Sequence, residues 1–243
     1  MWTDTDLPEP YPSTALVDDA TPLRPAPPTD DAPRRRFRFS LLRLFAAALI
    51  VLVVGNLALL ALTGVARALV DPPSSPSVEG VGALRTVDAK VLRGANPTHE
   101  GIVNLQELGV TTIVDLRAED YAHEDDLFIE DLGLEVVHLP IRDGQTPSNE
   151  QQAAFLDLVE QAEGLVYVHC GAGVGRAGVI SARYLAETGQ SSPMAALARN
   201  LEVGPPSVEQ NAYSLGVDAG PFQPGLVAVS RFFDAPRRIW HYM

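Results

Sequence analysis

The 243-residue chain has a single cysteine, Cys170, so it forms no disulfide within itself and no multi-cysteine zinc site. That thiol is either a small core filler or a reactive group, and its neighbours decide which. Positive charge is scarce as well. Lys and Arg number 18 against 31 Asp and Glu, a formal net charge of -13, and beyond Asp71 the balance is 11 against 23. Such a surface repels polyanions, which argues against a nucleic-acid partner. The chain shows no internal repeat.

Long apolar runs are also rare, with one exception. Residues 1–36 hold eight of the 20 prolines and seven carboxylates, too little apolar surface to offset the entropy of ordering, and read as a disordered tail. Arg34-Arg35-Arg36-Phe37-Arg38 and Arg43 follow, and then residues 44–66, a stretch of 23 without a charge. A bilayer needs about 20 residues at helical rise. A buried core helix is usually shorter and keeps a polar face, and a cleaved signal sequence has a shorter apolar region, although Ala66-Arg67-Ala68 resembles a cleavage site. The expectation is a single-pass anchor over residues 37–70, including its basic flank. Five arginines before the span and only Arg67 just after it place the tail inside and the rest of the chain outside the cytoplasm of a cell membrane.

Asp71-Pro72-Pro73-Ser74-Ser75-Pro76-Ser77 has the composition of a stiff linker, leaving a catalytic-size domain at 78–220 and an extension at 221–243. Within that domain, residues 87–92, 111–116, 134–139 and 165–169 read as strands rich in Val, Ile and Leu. Ile102, Leu105 and Leu108 share one helical face, and Phe155, Leu158, Val159 and Ala162 share another, the second helix opening on a Ser148/Gln151 capping box. Strand and helix in alternation predict an α/β fold with a central parallel-type sheet flanked by helices.

The chemistry concentrates in His169-Cys170-Gly171-Ala172-Gly173-Val174-Gly175-Arg176. A buried-strand pattern precedes it, and a helix pattern closed by Gly189 follows. Three glycines give the loop the backbone freedom to turn successive amides inward. Those amides and the helix N-terminus form a cradle for an oxyanion. At the mouth of that cradle Cys170 is favoured as a thiolate nucleophile. Arg176 supplies a planar fork for two phosphoryl oxygens. His169 is expected to orient the loop through backbone hydrogen bonds. A buried cysteine in a glycine turn is the plainer alternative.

His-Cys-x-x-Gly-x-x-Arg resembles the signature of the cysteine-dependent protein-tyrosine-phosphatase superfamily. Leu92-Arg93-Gly94-Ala95-Asn96-Pro97, Gly109-Val110-Thr111-Thr112-Ile113-Val114-Asp115-Leu116-Arg117 and Leu139-Pro140-Ile141-Arg142-Asp143-Gly144 extend the likeness to the small dual-specificity-phosphatase-like branch. The resemblance implies a dual-specificity-phosphatase-like fold and a phosphomonoester hydrolase working through phosphocysteine. It also implies an aspartic acid from a loop after the third strand. Asp143 matches that place, as acid in the first step and base in the second; as an aspartate before glycine it also suits a plain turn. The superfamily usually carries Ser or Thr after the arginine, whereas this chain has Ala177, which implies slow breakdown of the intermediate.

The implied substrate is a phosphoprotein, an inositol phosphate or a lipid head group, with no cofactor and no metal. Tyr121-Ala122-His123-Glu124-Asp125-Asp126 shows no second histidine at ligand spacing and reads as a solvated helix face. His99, His138 and His241 are scattered. Arg93, Arg117 and Arg142 either form a cationic rim or are ordinary paired residues. A rhodanese-like sulfurtransferase is the rival enzyme class, although its loop resembles four intervening residues rather than five. A non-catalytic phosphate-binding module is the rival without chemistry.

Overall fold

The computed structural model describes residues 32–119, 123–217 and 224–241. The expected tail up to position 31, residues 120–122, and parts of the C-terminal extension lie outside the described residues. Two units are distinguished, residues 1–45 and 46–243. The described part of the first is the beginning of helix α1 (Ala32–Leu69). The second holds the rest of that helix, the sheet and every other described helix.

The sheet has five strands: β1 (Arg85–Thr86), β2 (Val91–Gly94), β3 (Val110–Arg117), β4 (Glu135–Ile141) and β5 (Leu165–His169), in the order β1-β2-β5-β3-β4. The pairs β2/β5, β5/β3 and β3/β4 are parallel, as expected. β1 departs from the expectation by running antiparallel to β2, so the sheet is mixed. The cause is local. Residues 87–92 do not form one strand, because the Asp88 carboxylate accepts from the amides of Lys90 and Val91 at 2.8 Å each and turns the chain.

The parallel strands β2, β3 and β5 are buried on both faces, so their side chains alternate between two cores. Val166 and Val168 of β5 join Val114 and Leu116 of β3 in one cluster; Tyr167 joins Ile113 and Val110 in the other. The first face is covered by α4 (Asn149–Gln161), α5 (Arg176–Glu187) and α6 (Pro193–Val203), through Phe155, Ile180 and Ala196. The second is covered by α2 (His99–Glu107) and α3 (Asp126–Asp131), through Ile102, Leu105 and Ile129. Leu108, expected on the buried face of α2, is instead its partly exposed C-cap. The Ser148/Gln151 capping box starts α4 as expected, and Gly189, with φ +72°, follows the C-cap of α5.

Two further helices complete the second unit. α7 (Val208–Ser214) opens on a capping box of Ser207 and Gln210. α8 (Pro224–His241) packs on α7, where Ser230 Oγ accepts from the Glu209 amide at 3.1 Å and donates to Asp234 at 2.7 Å. The last turns of α1 rest on α6: Ala66 is buried with Leu197 and Leu201, and Arg67 donates to the carbonyls of Glu202 and Val203 at 2.9 and 3.0 Å. Farther back along α1, Asn56 donates to the Phe233 carbonyl of α8 at 3.1 Å.

Candidate active site

Cys170 follows the last residue of β5 and is 3% exposed; the loop it opens ends where α5 begins at Arg176. Of the loop glycines only Gly173 lies in the left-handed region, at φ +73°. A Cβ there would sit 2.5 Å from the Gly94 carbonyl carbon and 2.6 Å from the Ala95 amide, so the loop is seated directly on the end of β2. Asn96 adds a second tie, donating its amide to the Gly171 carbonyl at 3.1 Å. Those contacts explain why the segment around Gly94-Ala95-Asn96 accompanies the loop: it is the loop's floor.

Arg176 is 4% exposed and held from one side. Its Nη1 donates to both Glu119 oxygens, at 3.0 and 2.9 Å, and to the Ile141 carbonyl at 3.0 Å. Nη2 lies 3.7 Å from Asp143, and the buried Nε has no hydrogen-bond partner among the described residues. Burial alone would pull the guanidinium down, but the Glu119 bond and the nearby charges of Cys170 and Asp143 outweigh it and hold the group above its ordinary value. Burial pushes Glu119 up, and its bonds to Arg176 more than reverse that, leaving it below the usual carboxylate range. The result is a fixed cation with a donor left over, the arrangement an oxyanion site requires.

Asp143 sits beyond the end of β4 with its side chain about half exposed, next to Gly144 at φ +74°. The loop that carries it is fastened from α7: Ser207 Oγ donates to the Gly144 carbonyl and Gln210 Nε2 to the Gln145 carbonyl, both at 2.8 Å. The Gln210 side chain also abuts Gly175, where a Cβ would meet its Oε1 at 2.9 Å. One residue therefore touches both the cysteine loop and the aspartate loop. A cleft of about 180 Å³ opens beside them, lined by Asp143, Ala172, Val174, Pro205, Pro206 and Asp234 among others, with no Lys or Arg among the described residues of its wall.

The structure thus brings Cys170, Arg176, Asp143 and the 169–175 loop to one place. Two of the three arginines considered for a rim turn inward. Arg93 is buried and donates to Asn200 at 2.6 Å, and burial lowers its guanidinium to about 10. Arg117 is buried in a pair with Asp115 at 2.7 Å, and of the three only Arg142 is exposed. Sequence reasoning misses Glu119, Ser207 and Gln210. Glu119 sits two residues past the end of β3 and meets Arg176 only through the sheet order; Gln210 has one legible sign, its place three residues after Ser207 in a capping box.

His169 is 2% exposed, with Nδ1 3.4 Å from the Cys170 carbonyl and Nε2 3.9 Å from Asp115. Burial pushes it down from 6.5 to about 4, against the pull of Asp115. A histidine kept neutral by the fold binds fewer protons than it does unfolded. Its contribution to stability is therefore complete above pH 6.5 and is lost as pH falls towards 4, on the order of 3 kcal/mol in all. Denaturant melts across that window are expected to show this slope, and His169→Asn to flatten it; an unchanged slope would assign the acid sensitivity elsewhere.

Comparison with known proteins agrees with this geometry. Residues 73–214, more than half of the chain, match the family model described as DSP-PTPase phosphatase fused to NAD+ Kinase. A probable NAD kinase 2, chloroplastic, of Oryza sativa subsp. japonica is 34% identical over 117 residues, 45% of this chain and 12% of that protein. A putative tyrosine phosphatase 067L of Invertebrate iridescent virus 3 is 33% identical over 115 residues, 44% of this chain and 47% of that protein. The chain therefore spans less than half the length of these curated relatives. Among solved structures, P. aeruginosa TpbA shares the fold, with a TM-score of 0.51 and 23% identity over 66% of this chain and 98% of that one. The chain belongs to the family of DSP-PTPase phosphatases fused to NAD+ kinase, within the dual-specificity-like part of the cysteine-dependent protein-tyrosine-phosphatase superfamily.

Proposed function

We propose that the chain hydrolyses phosphate monoesters through a phosphocysteine intermediate. The observation that carries this reading is the loop of Cys170 and Arg176, with the Arg176 guanidinium anchored on one side by Glu119 and its buried Nε unpartnered among the described residues on the other. The Cys170 thiolate attacks phosphorus, the ester P–O bond breaks, and the leaving oxygen takes a proton from Asp143. Arg176 and the loop amides stabilise the charge that develops on the phosphoryl oxygens. Water then attacks phosphorus, gives a proton to Asp143, and releases phosphate and the thiolate. The family match together with Asp143 beside Arg176 favours this reading over a sulfurtransferase or a module without chemistry.

The proposed substrate is a phosphate monoester, carried by a phosphoprotein, an inositol phosphate or a lipid head group, entering by the cleft beside the Asp143 loop. In Asp143→Asn, turnover of an alkyl phosphate is expected to fall by about 10²- to 10⁴-fold, and that of a nitrophenyl phosphate, whose leaving group needs little protonation, by much less. Equal losses on both would remove Asp143 from the acid's role.

The chain is proposed to be anchored by α1. The apolar part, Ser40–Leu69, has 30 residues and is the one described helix long and apolar enough to cross a membrane. At about 1.5 Å per residue it exceeds a hydrocarbon core of about 30 Å, so its last turns can leave the bilayer and still meet α6. The arginines before it support a catalytic domain outside the cytoplasm. A C-terminal alkaline phosphatase fusion, active only after export, is expected to be active; activity of a cytoplasmic reporter at the same place would reverse the orientation.

A further inference from the structure

Packing of α3 on the sheet edge brings His138 to His123 and Asp126, two side chains three residues apart in the sequence. His138 lies on edge strand β4, in register with Asp115 on β3, which is itself in register with His169 on β5. Its Nε2 lies 3.1 Å from both oxygens of Asp126, the first residue of α3. From the other side His123 Nδ1 lies 2.9 Å from Asp126 Oδ2. The two imidazoles are inclined at 49° with ring centroids 4.0 Å apart, and one ligand atom from each of the three residues lies within 4.8 Å of the others.

We propose that His123, Asp126 and His138 form a binding site for one divalent transition-metal ion of the zinc type, two strands away from the cysteine loop. Two imidazoles and a carboxylate suit zinc, cobalt or nickel far better than calcium or magnesium, which take oxygen ligands. Tetrahedral zinc with bonds of about 2.0–2.1 Å places its ligand atoms roughly 3.3 Å apart, a slight widening of the His–Asp distances already present. Asp125 is no fourth ligand, because His99 engages it at 2.9 Å. With the His123 side chain 66% exposed, water completes the coordination from solvent. The neighbouring Glu124 and Asp125 raise the local concentration of cations without touching the ion.

The site would work as a clip. Its ligands come from the segment leading into α3, from the first residue of that helix and from the edge strand, so an ion there ties the helix to the sheet edge over a closed stretch of only 16 residues. An ion that binds only the folded chain raises stability by mass action.

The test is a zinc titration of the full chain in detergent, in a Cys170→Ser background so that the thiolate cannot bind the metal. Competition against a chromophoric chelator and the visible spectrum of added cobalt are the readouts. One equivalent is expected, with a nitrogen-bearing tetrahedral cobalt spectrum and a rise in melting temperature. His138→Gln and Asp126→Asn should each weaken binding on the order of 100-fold or more, and Glu124→Gln should not, all three folding as judged by circular dichroism. Should either ligand variant misfold, the other decides. The absence of stoichiometric binding, or equal binding in the folded ligand variants, would show the trio to be only a hydrogen-bonded cluster. A loss as large in Glu124→Gln would show diffuse attraction to acidic side chains; either result overturns the site.

Discussion

Replacing Cys170 with serine is expected to lower turnover of an aryl phosphate by at least about 10⁴-fold, more than 5 kcal/mol of transition-state stabilisation. Sulfur is intrinsically the stronger nucleophile, whereas a serine hydroxyl stays protonated at neutral pH. The fold should tolerate the change, because sulfur and oxygen differ little in volume and Cys170 sits at the edge of its core cluster, where the loop begins. Phosphate binding should persist, since Arg176 and the loop amides are untouched. Steady-state hydrolysis and inhibition by inorganic phosphate, measured side by side, separate these effects. Substantial turnover in the serine variant would remove Cys170 from the mechanism.

The second large effect is expected from Arg176→Lys, on the order of 10²- to 10³-fold in kcat. Charge is retained, so a merely electrostatic role predicts a small loss. Geometry argues otherwise. The guanidinium is spread between Glu119 and the Ile141 carbonyl on one side and the loop on the other, a span that a lysine ammonium cannot bridge. A lysine drawn to Glu119 leaves the phosphoryl oxygens without their planar donor pair. The loss should therefore appear mainly in kcat, where charge on those oxygens is greatest, with a smaller change in KM. A loss confined to KM would assign Arg176 to ground-state binding alone.

Local patterns make much of this legible in the amino-acid sequence. The loop can be read because its chemistry is contiguous, and its seat between β5 and α5 follows from a buried-strand run on one side and a glycine-closed helix on the other. The Ser148 cap is legible for the same reason: its partner is three residues away. What stays hidden depends on distant partners or on side chains that redirect the backbone. Residues 87–92 have a strand's composition, yet the Asp88 carboxylate bends them into the turn that makes β1 antiparallel. Glu119 reaches Arg176 only because β3 lies beside β5. His138 looks isolated along the chain because its partners Asp126 and His123 are joined to it only through the packing of α3 on β4.

Ala177 is the one departure inside the signature, and it sharpens the central claim. Its side chain is a buried methyl group, which offers no hydrogen bond to the departing sulfur. Formation of phosphocysteine should then outpace its hydrolysis, and the intermediate should accumulate. Rapid quenching of the full chain with an aryl phosphate, followed by mass spectrometry of the peptide that carries Cys170, measures this directly. The expected result is a phosphoryl adduct on Cys170 in the wild type, discharged faster in Ala177→Ser and absent in Cys170→Ser. Product release with no adduct on Cys170 at any time, or an adduct on another residue, would contradict the account.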